Sequence, residues 1–94
     1  MCGRMRKDKA IKEIDKWRDN PQNVRFERLC IVAEAFGFRF ARSTGSHRIY
    51  VLDGVKEILD FQVRDGKAKP YQVKQLIDLV DKYKLERGEV DAGI

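Results

Sequence analysis

The sequence predicts an α+β domain: a three-stranded antiparallel sheet with helices packed on one face, in the order α-α-β-β-β-α. Three observations predict it. Apolar residues recur every three to four positions as far as Phe36. From Phe38 to Arg64 the period falls to two, broken by short glycine turns. Beyond Pro70 the helical spacing returns.

The first element spans 8–19, where Ala10, Ile11, Ile14 and Trp17 share one helical face. Asn20-Pro21 stops it, because a residue before proline avoids the helical region. The second helix runs from Arg25 to Ala35 on a stripe of Phe26, Leu29, Cys30, Ala33 and Phe36. Gly37 stands where a left-handed C-terminal cap belongs, a conformation glycine adopts without steric cost.

Strand one is 38–43, followed by the turn Thr44-Gly45-Ser46. Strand two is 47–53 and is rich in β-branched and aromatic residues. Strand three is 58–64, with Leu59, Phe61 and Val63 on its core face. Alternation assigns Arg39, Arg48, Tyr50, Gln62 and Arg64 to the opposite face. Asp65-Gly66 turns the chain, and Lys67 to Lys69 lead to Pro70, which suits the first position of a helix. That helix buries Val73, Leu76, Ile77, Val80 and Tyr83 and ends near Lys84 or Leu85. Residues 86–94 are a short polar tail expected to fray.

The whole chain, 1–94, is expected to form one domain, because 94 residues suffice for one small core and no more. Hydrophobic residues make up 43% of it, enough for a core, and the 37% charged share demands a wetted surface. No apolar run is long enough to span a membrane, and the charged N-terminal stretch has no signal-peptide core. Cys2 and Cys30 are not expected to pair, and a reducing cytoplasm is the expected location. The net charge of +5 favours polyanionic partners, since each neutralised phosphate releases a counterion. Ordinary solubility explains the same charge equally well.

The informative segment is Thr44-Gly45-Ser46-His47-Arg48-Ile49-Tyr50. His47 is the one histidine of the chain, and an imidazole both takes and gives a proton near neutral pH. Gly45 permits close approach of a phosphate. Arg42, Arg48, Lys67 and Lys69 supply cations to hold a phosphodiester, and the N-terminus of the last helix supplies oriented N–H groups. Tyr50, outward by parity, is the residue best placed to stack on a base. No metal-ligand spacing occurs, so neither metal nor cofactor is expected. RNA needs none, because its own 2′-hydroxyl is the nucleophile once a base removes its proton. Pattern alone leaves His47 open between a catalyst and a structural or solvated histidine. It leaves the arginines open between phosphate ligands and solvating charges. A second proton-transfer group is missing; Lys67, Lys69 and Tyr50 are the candidates.

From Val24 to Leu85 the chain resembles the HicA-type toxins of type II toxin–antitoxin systems. The match lies in the order of Ala35-Phe-Gly-Phe38, Gly45-Ser46-His47, Tyr50, and Gly66-Lys67-Ala-Lys69-Pro70. The resemblance implies a fold like a double-stranded-RNA-binding domain and metal-independent endoribonuclease activity on mRNA. It maps the catalytic histidine onto His47; the residues' own chemistry adds Gly45, Ser46, Arg48, Tyr50, Lys67 and Lys69 as candidate RNA-binding residues. It further implies a HicB-type antitoxin that covers the site and supplies any DNA contacts. Two departures stand out. Helix 8–19 is an addition to the shortest family members, available to brace the core or to meet the partner. Leu52 to Glu57 replaces a more polar strand connection. A non-catalytic RNA-binding module and a protein-interaction domain are the alternative readings.

Overall fold

The computed structural model describes residues 5–85. Three helices and four strands follow in the order α1 (Lys7–Asp19), α2 (Phe26–Ala35), β1 (Arg39–Thr44), β2 (His47–Val51), β3 (Leu59–Arg64), β4 (Lys67–Ala68) and α3 (Pro70–Lys82). The fold class is α+β as expected, but the sheet has four antiparallel strands, ordered β1-β2-β3-β4, rather than three. The fourth is short: Val63 pairs with Ala68 and Arg64 with Lys67 across the Asp65–Gly66 turn. Both turn residues have positive φ, 55° and 76°, which matches the right-handed twist of the strands they join. Two residues are too few to show alternation, so the sequence pattern hides β4. The expected fraying of 86–94 and the state of Cys2 lie outside the described residues.

Residues 24–26 run beside the free edge of β4. Ala68 N–H donates to the Val24 carbonyl at 2.9 Å, and Phe26 N–H donates to the Gly66 carbonyl at 3.0 Å. That strip covers one sheet edge, an exposure that folded proteins avoid. All residues of β1, at the other edge, are exposed.

One apolar cluster joins the three helices to one face of the sheet. Leu59 and Phe61 of β3, Leu29 and Val32 of α2, and Val73, Leu76 and Val80 of α3 are fully buried. Helix α1 joins the same cluster through Ala10, Ile14 and Trp17. Arg18 clamps it to α3 with two bonds to Asp81, at 2.8 and 2.7 Å, and Arg28 of α2 reaches Glu13 at 3.3 Å. The Arg18 guanidinium holds the Asp81 carboxyl below its ordinary range. The added helix therefore braces the core. Helix α2 ends as its glycine predicts: Phe38 N–H bonds the Ala33 carbonyl and Gly37 N–H the Glu34 carbonyl, with Gly37 at φ +105°.

The parity expected for β2 is reversed. Tyr50 is 2% exposed and lies within the core cluster, on the helix-covered face. The register explains this. Tyr50 stands opposite Leu59 on one side and Phe40 on the other, and Leu59 is fixed in the core. Its ring packs on Phe61 at 5.7 Å and edge-on to Phe40 at 5.8 Å. The run Ile49-Tyr-Val-Leu52 is apolar at every position, so alternation does not choose a face. With Tyr50 turned inward, Arg48 follows it, and His47 and Ile49 take the opposite face with Asp60 and Gln62. An irregularity at Ala41 lets β1 follow: Phe40 pairs with Tyr50, then Arg42 with Ile49.

The 52–57 connection is tied to the end of α3. Glu57 accepts from Lys82 Nζ at 2.6 Å and from the Tyr83 hydroxyl at 2.7 Å. The Lys82 ammonium foremost, then the Tyr83 hydroxyl, pull its pKa from 4.5 to about 2. A carboxyl depressed on folding stabilises the fold above its unfolded pKa and loses that contribution as pH falls. The melting temperature of Glu57→Gln should therefore lie below wild type near neutrality. The gap should close between about pH 4.5 and 2, the two ends of the shift. A gap constant across that window would show that the ion pair does not contribute.

Candidate active site

Thr44 and His47 close a two-residue turn made of Gly45 and Ser46. Gly45 has φ +60°, and no atom lies within 4 Å of where a Cβ would stand. The backbone conformation, not crowding within the protein, is what calls for glycine there. Ser46 offers its carbonyl to the Val63 N–H at 3.2 Å, which ties the turn to β3.

His47 opens β2 and lies opposite Gln62 of β3. Its Nδ1 is 2.8 Å from Oδ1 of Asp60, and the two side chains are 42% and 48% exposed. Asp60 is the residue that the sequence reading missed. It sits between Leu59 and Phe61, both fully buried, so alternation alone sends it to the opposite face. Bringing it to His47 requires the β2–β3 register, which the sequence does not display. Register also places Lys67 on this face, since it pairs with Arg64 two positions along from Gln62. Lys67 is exposed. Lys69 precedes α3 and lies 5.9 Å over the Tyr71 ring.

Beside the turn opens a cleft of about 420 Å³, lined by Arg25, Phe26, Glu27, Ser43, Gly45, Ser46, Arg48, Val63 and Gly66. The Arg48 guanidinium rests 5.5 Å above the Phe26 ring, which holds the charge at the cleft wall. Arg25 is a second cation that the sequence reading did not select. The hydroxyls of Ser43 and Ser46 add polar groups along the same wall. Such a concave strip, with Arg25 and Arg48 against the one carboxylate of Glu27, suits a phosphodiester backbone.

Tyr50 does not join this group. Its hydroxyl is 3.4 Å from Glu34 Oε2, deep behind β1. Burial foremost, with Cys30 and Glu34 adding to it, pushes its phenol pKa far above the ordinary value. It is neither a stacking platform nor a proton donor. Burial raises the pKa of the neighbouring Cys30 thiol as well. Among the described residues, no group of three or more His, Cys, Asp and Glu is placed to hold a metal ion. No helix among them is long and apolar enough to cross a membrane.

A family model for the HicA toxin of bacterial toxin–antitoxin systems matches residues 26–81. The chain belongs to the HicA toxin family. The HicA match begins at the first residue of α2 and ends one residue before the end of α3. It takes in the whole sheet, the Gly45–Ser46 turn and His47, and it leaves out α1. Membership makes this protein a toxin of a toxin–antitoxin pair and implies a cognate antitoxin as its partner. No curated protein and no solved structure matches the chain.

Proposed function

We propose that this HicA toxin is a metal-independent endoribonuclease that cleaves mRNA, with His47 as its general base. The observation that carries the reading is the place of His47. The one imidazole of the chain is half-exposed at the mouth of β2, adjoining a glycine–serine turn that borders a cationic cleft. His47 takes the proton of the RNA 2′-hydroxyl as O2′ bonds to phosphorus. The P–O5′ bond breaks, the 5′ oxygen takes a proton from water, and a 2′,3′-cyclic phosphate remains. Arg48 and Arg25 in the cleft, with Lys67 on the histidine face, hold the flanking phosphates. Gly45 and Ser46 present the turn over which the backbone passes. Lys69, farther along the chain at the start of α3, adds to the attraction for RNA. The core from α2 to α3 is read as double-stranded-RNA-binding-domain-like, the partner as a HicB-type antitoxin that covers His47, and contact with DNA as the antitoxin's task.

Inducible expression in a bacterium tests this. Wild type should arrest growth and degrade mRNA, and an equally soluble His47→Ala should do neither. If both variants leave RNA intact yet bind it with a strong salt dependence, the protein is a binding module instead. If RNA binding has a salt slope near zero, the basic face meets a protein.

A further inference from the structure

We propose that Asp60 is the positioning residue for His47: its carboxylate accepts the Nδ1 proton and so fixes Nε2 as the bare, base-competent nitrogen. The inference rests on the reading of His47 as the base, and it assigns a role to a residue of the sheet rather than of the turn.

The contact is short, 2.8 Å between Nδ1 and Oδ1. An ionised carboxylate only accepts hydrogen bonds. A neutral imidazole has one N–H and one lone pair, so bonding to Asp60 puts the hydrogen on Nδ1 and the lone pair on Nε2. The pair is held from two adjacent strands. His47 lies opposite Gln62, and Asp60 lies opposite Ile49, so the two side chains meet on the diagonal of one face. Asp60 itself has little freedom. Leu59 and Phe61 on either side are fully buried anchors. Where β4 has ended, the buried Gln72 of α3 donates its Nε2–H to the Asp60 carbonyl at 3.2 Å. A carboxylate on a strand pinned in this way orients an imidazole better than one on a loop would.

Other charges on this face do not replace it. Among the described side chains, register puts Arg39 and Arg42 of β1 and Lys67 of β4 there with Asp60. The three others are cations, and Arg39 bonds Asp53 at 3.1 Å. Arg48 is on the other face, over Phe26. Asp60 is the anion that touches the ring.

The ring itself gives the test, since one histidine yields one pair of imidazole resonances in ¹⁵N NMR. In the wild type the neutral ring should carry its proton on Nδ1. Asp60→Ala leaves Nδ1 without an acceptor, so the neutral ring should shift toward the Nε2–H form. Cleavage by Asp60→Ala should then fall at least about tenfold. A residue needed only for folding would not move the tautomer. A wild-type ring protonated on Nε2, or an Asp60→Ala variant with unchanged tautomer, overturns the proposal. If the tautomer behaves as stated and no RNA is cut, the pairing stands and the ribonuclease reading falls.

Discussion

Replacing His47 with alanine should slow RNA cleavage by the purified toxin about 10²- to 10⁴-fold, the usual contribution of a positioned general base. The fold should survive the change. His47 is 42% exposed and lies outside the apolar cluster, so its loss opens no cavity. Surface changes of this kind shift stability by no more than about 0.5 kcal/mol. Single-turnover cleavage of a short RNA, beside thermal melts of both proteins, separates chemistry from folding. The salt slope of RNA binding should be unchanged, because a neutral imidazole neutralises no phosphate. A variant that folds, binds and still cuts at the wild-type rate would move the base elsewhere. Tyr50 would not inherit the role, since its hydroxyl is buried toward Glu34.

Phe61→Ala is expected to cost about 3–5 kcal/mol, the range for emptying a buried aromatic site. Phe61 is fully buried, packs on Tyr50 at 5.7 Å, and lies opposite Arg48 across β2. A domain of this size has roughly 5–15 kcal/mol in all, so a large part of the margin goes with one side chain. The melting temperature should fall by about 12 °C or more. Urea unfolding checks it, with the midpoint moving and the slope held. A loss under about 1 kcal/mol would mean that this face of the sheet is not the core. The two substitutions separate the faces: His47→Ala removes chemistry and spares stability, and Phe61→Ala does the reverse.

Most of the architecture was legible because helical and strand periods differ and the chain shows both plainly. α1, α2 and α3 fall within a few residues of their expected spans, since each has a clean apolar stripe and a Pro or Gly at a boundary. β3 was legible on the same ground, with Leu59 and Phe61 alternating with Asp60 and Gln62. β2 was not, because four consecutive apolar residues carry no phase. Its orientation comes from Leu59 across the ladder, a long-range fact. β4 escaped for want of length, although Asp65-Gly66 is the strongest kind of hairpin signal.

The site divides in the same way. His47, Gly45 and Ser46 form one contiguous segment and were found together. Arg48 was selected for the right charge but assigned to the wrong face. Asp60 and Arg25 were missed because each reaches the site through a backbone pairing whose register the sequence does not display. The acidic partner of His47 was thus hidden by register, not by composition.

The strip at residues 24–26 has a kinetic consequence. His47 and Asp60 meet through neighbouring strands joined by a short connection, the local kind of contact that forms early in folding. The Arg25–Phe26 wall of the cleft joins only when Val24 and Phe26 clasp Ala68 and Gly66, closing a loop of roughly 40 residues. The His47–Asp60 pair and the cleft are therefore assembled over two different ranges of the chain. Peeling of the clasp would open the cleft while leaving the imidazole and its carboxylate in register, so the two halves of the candidate site can come apart independently.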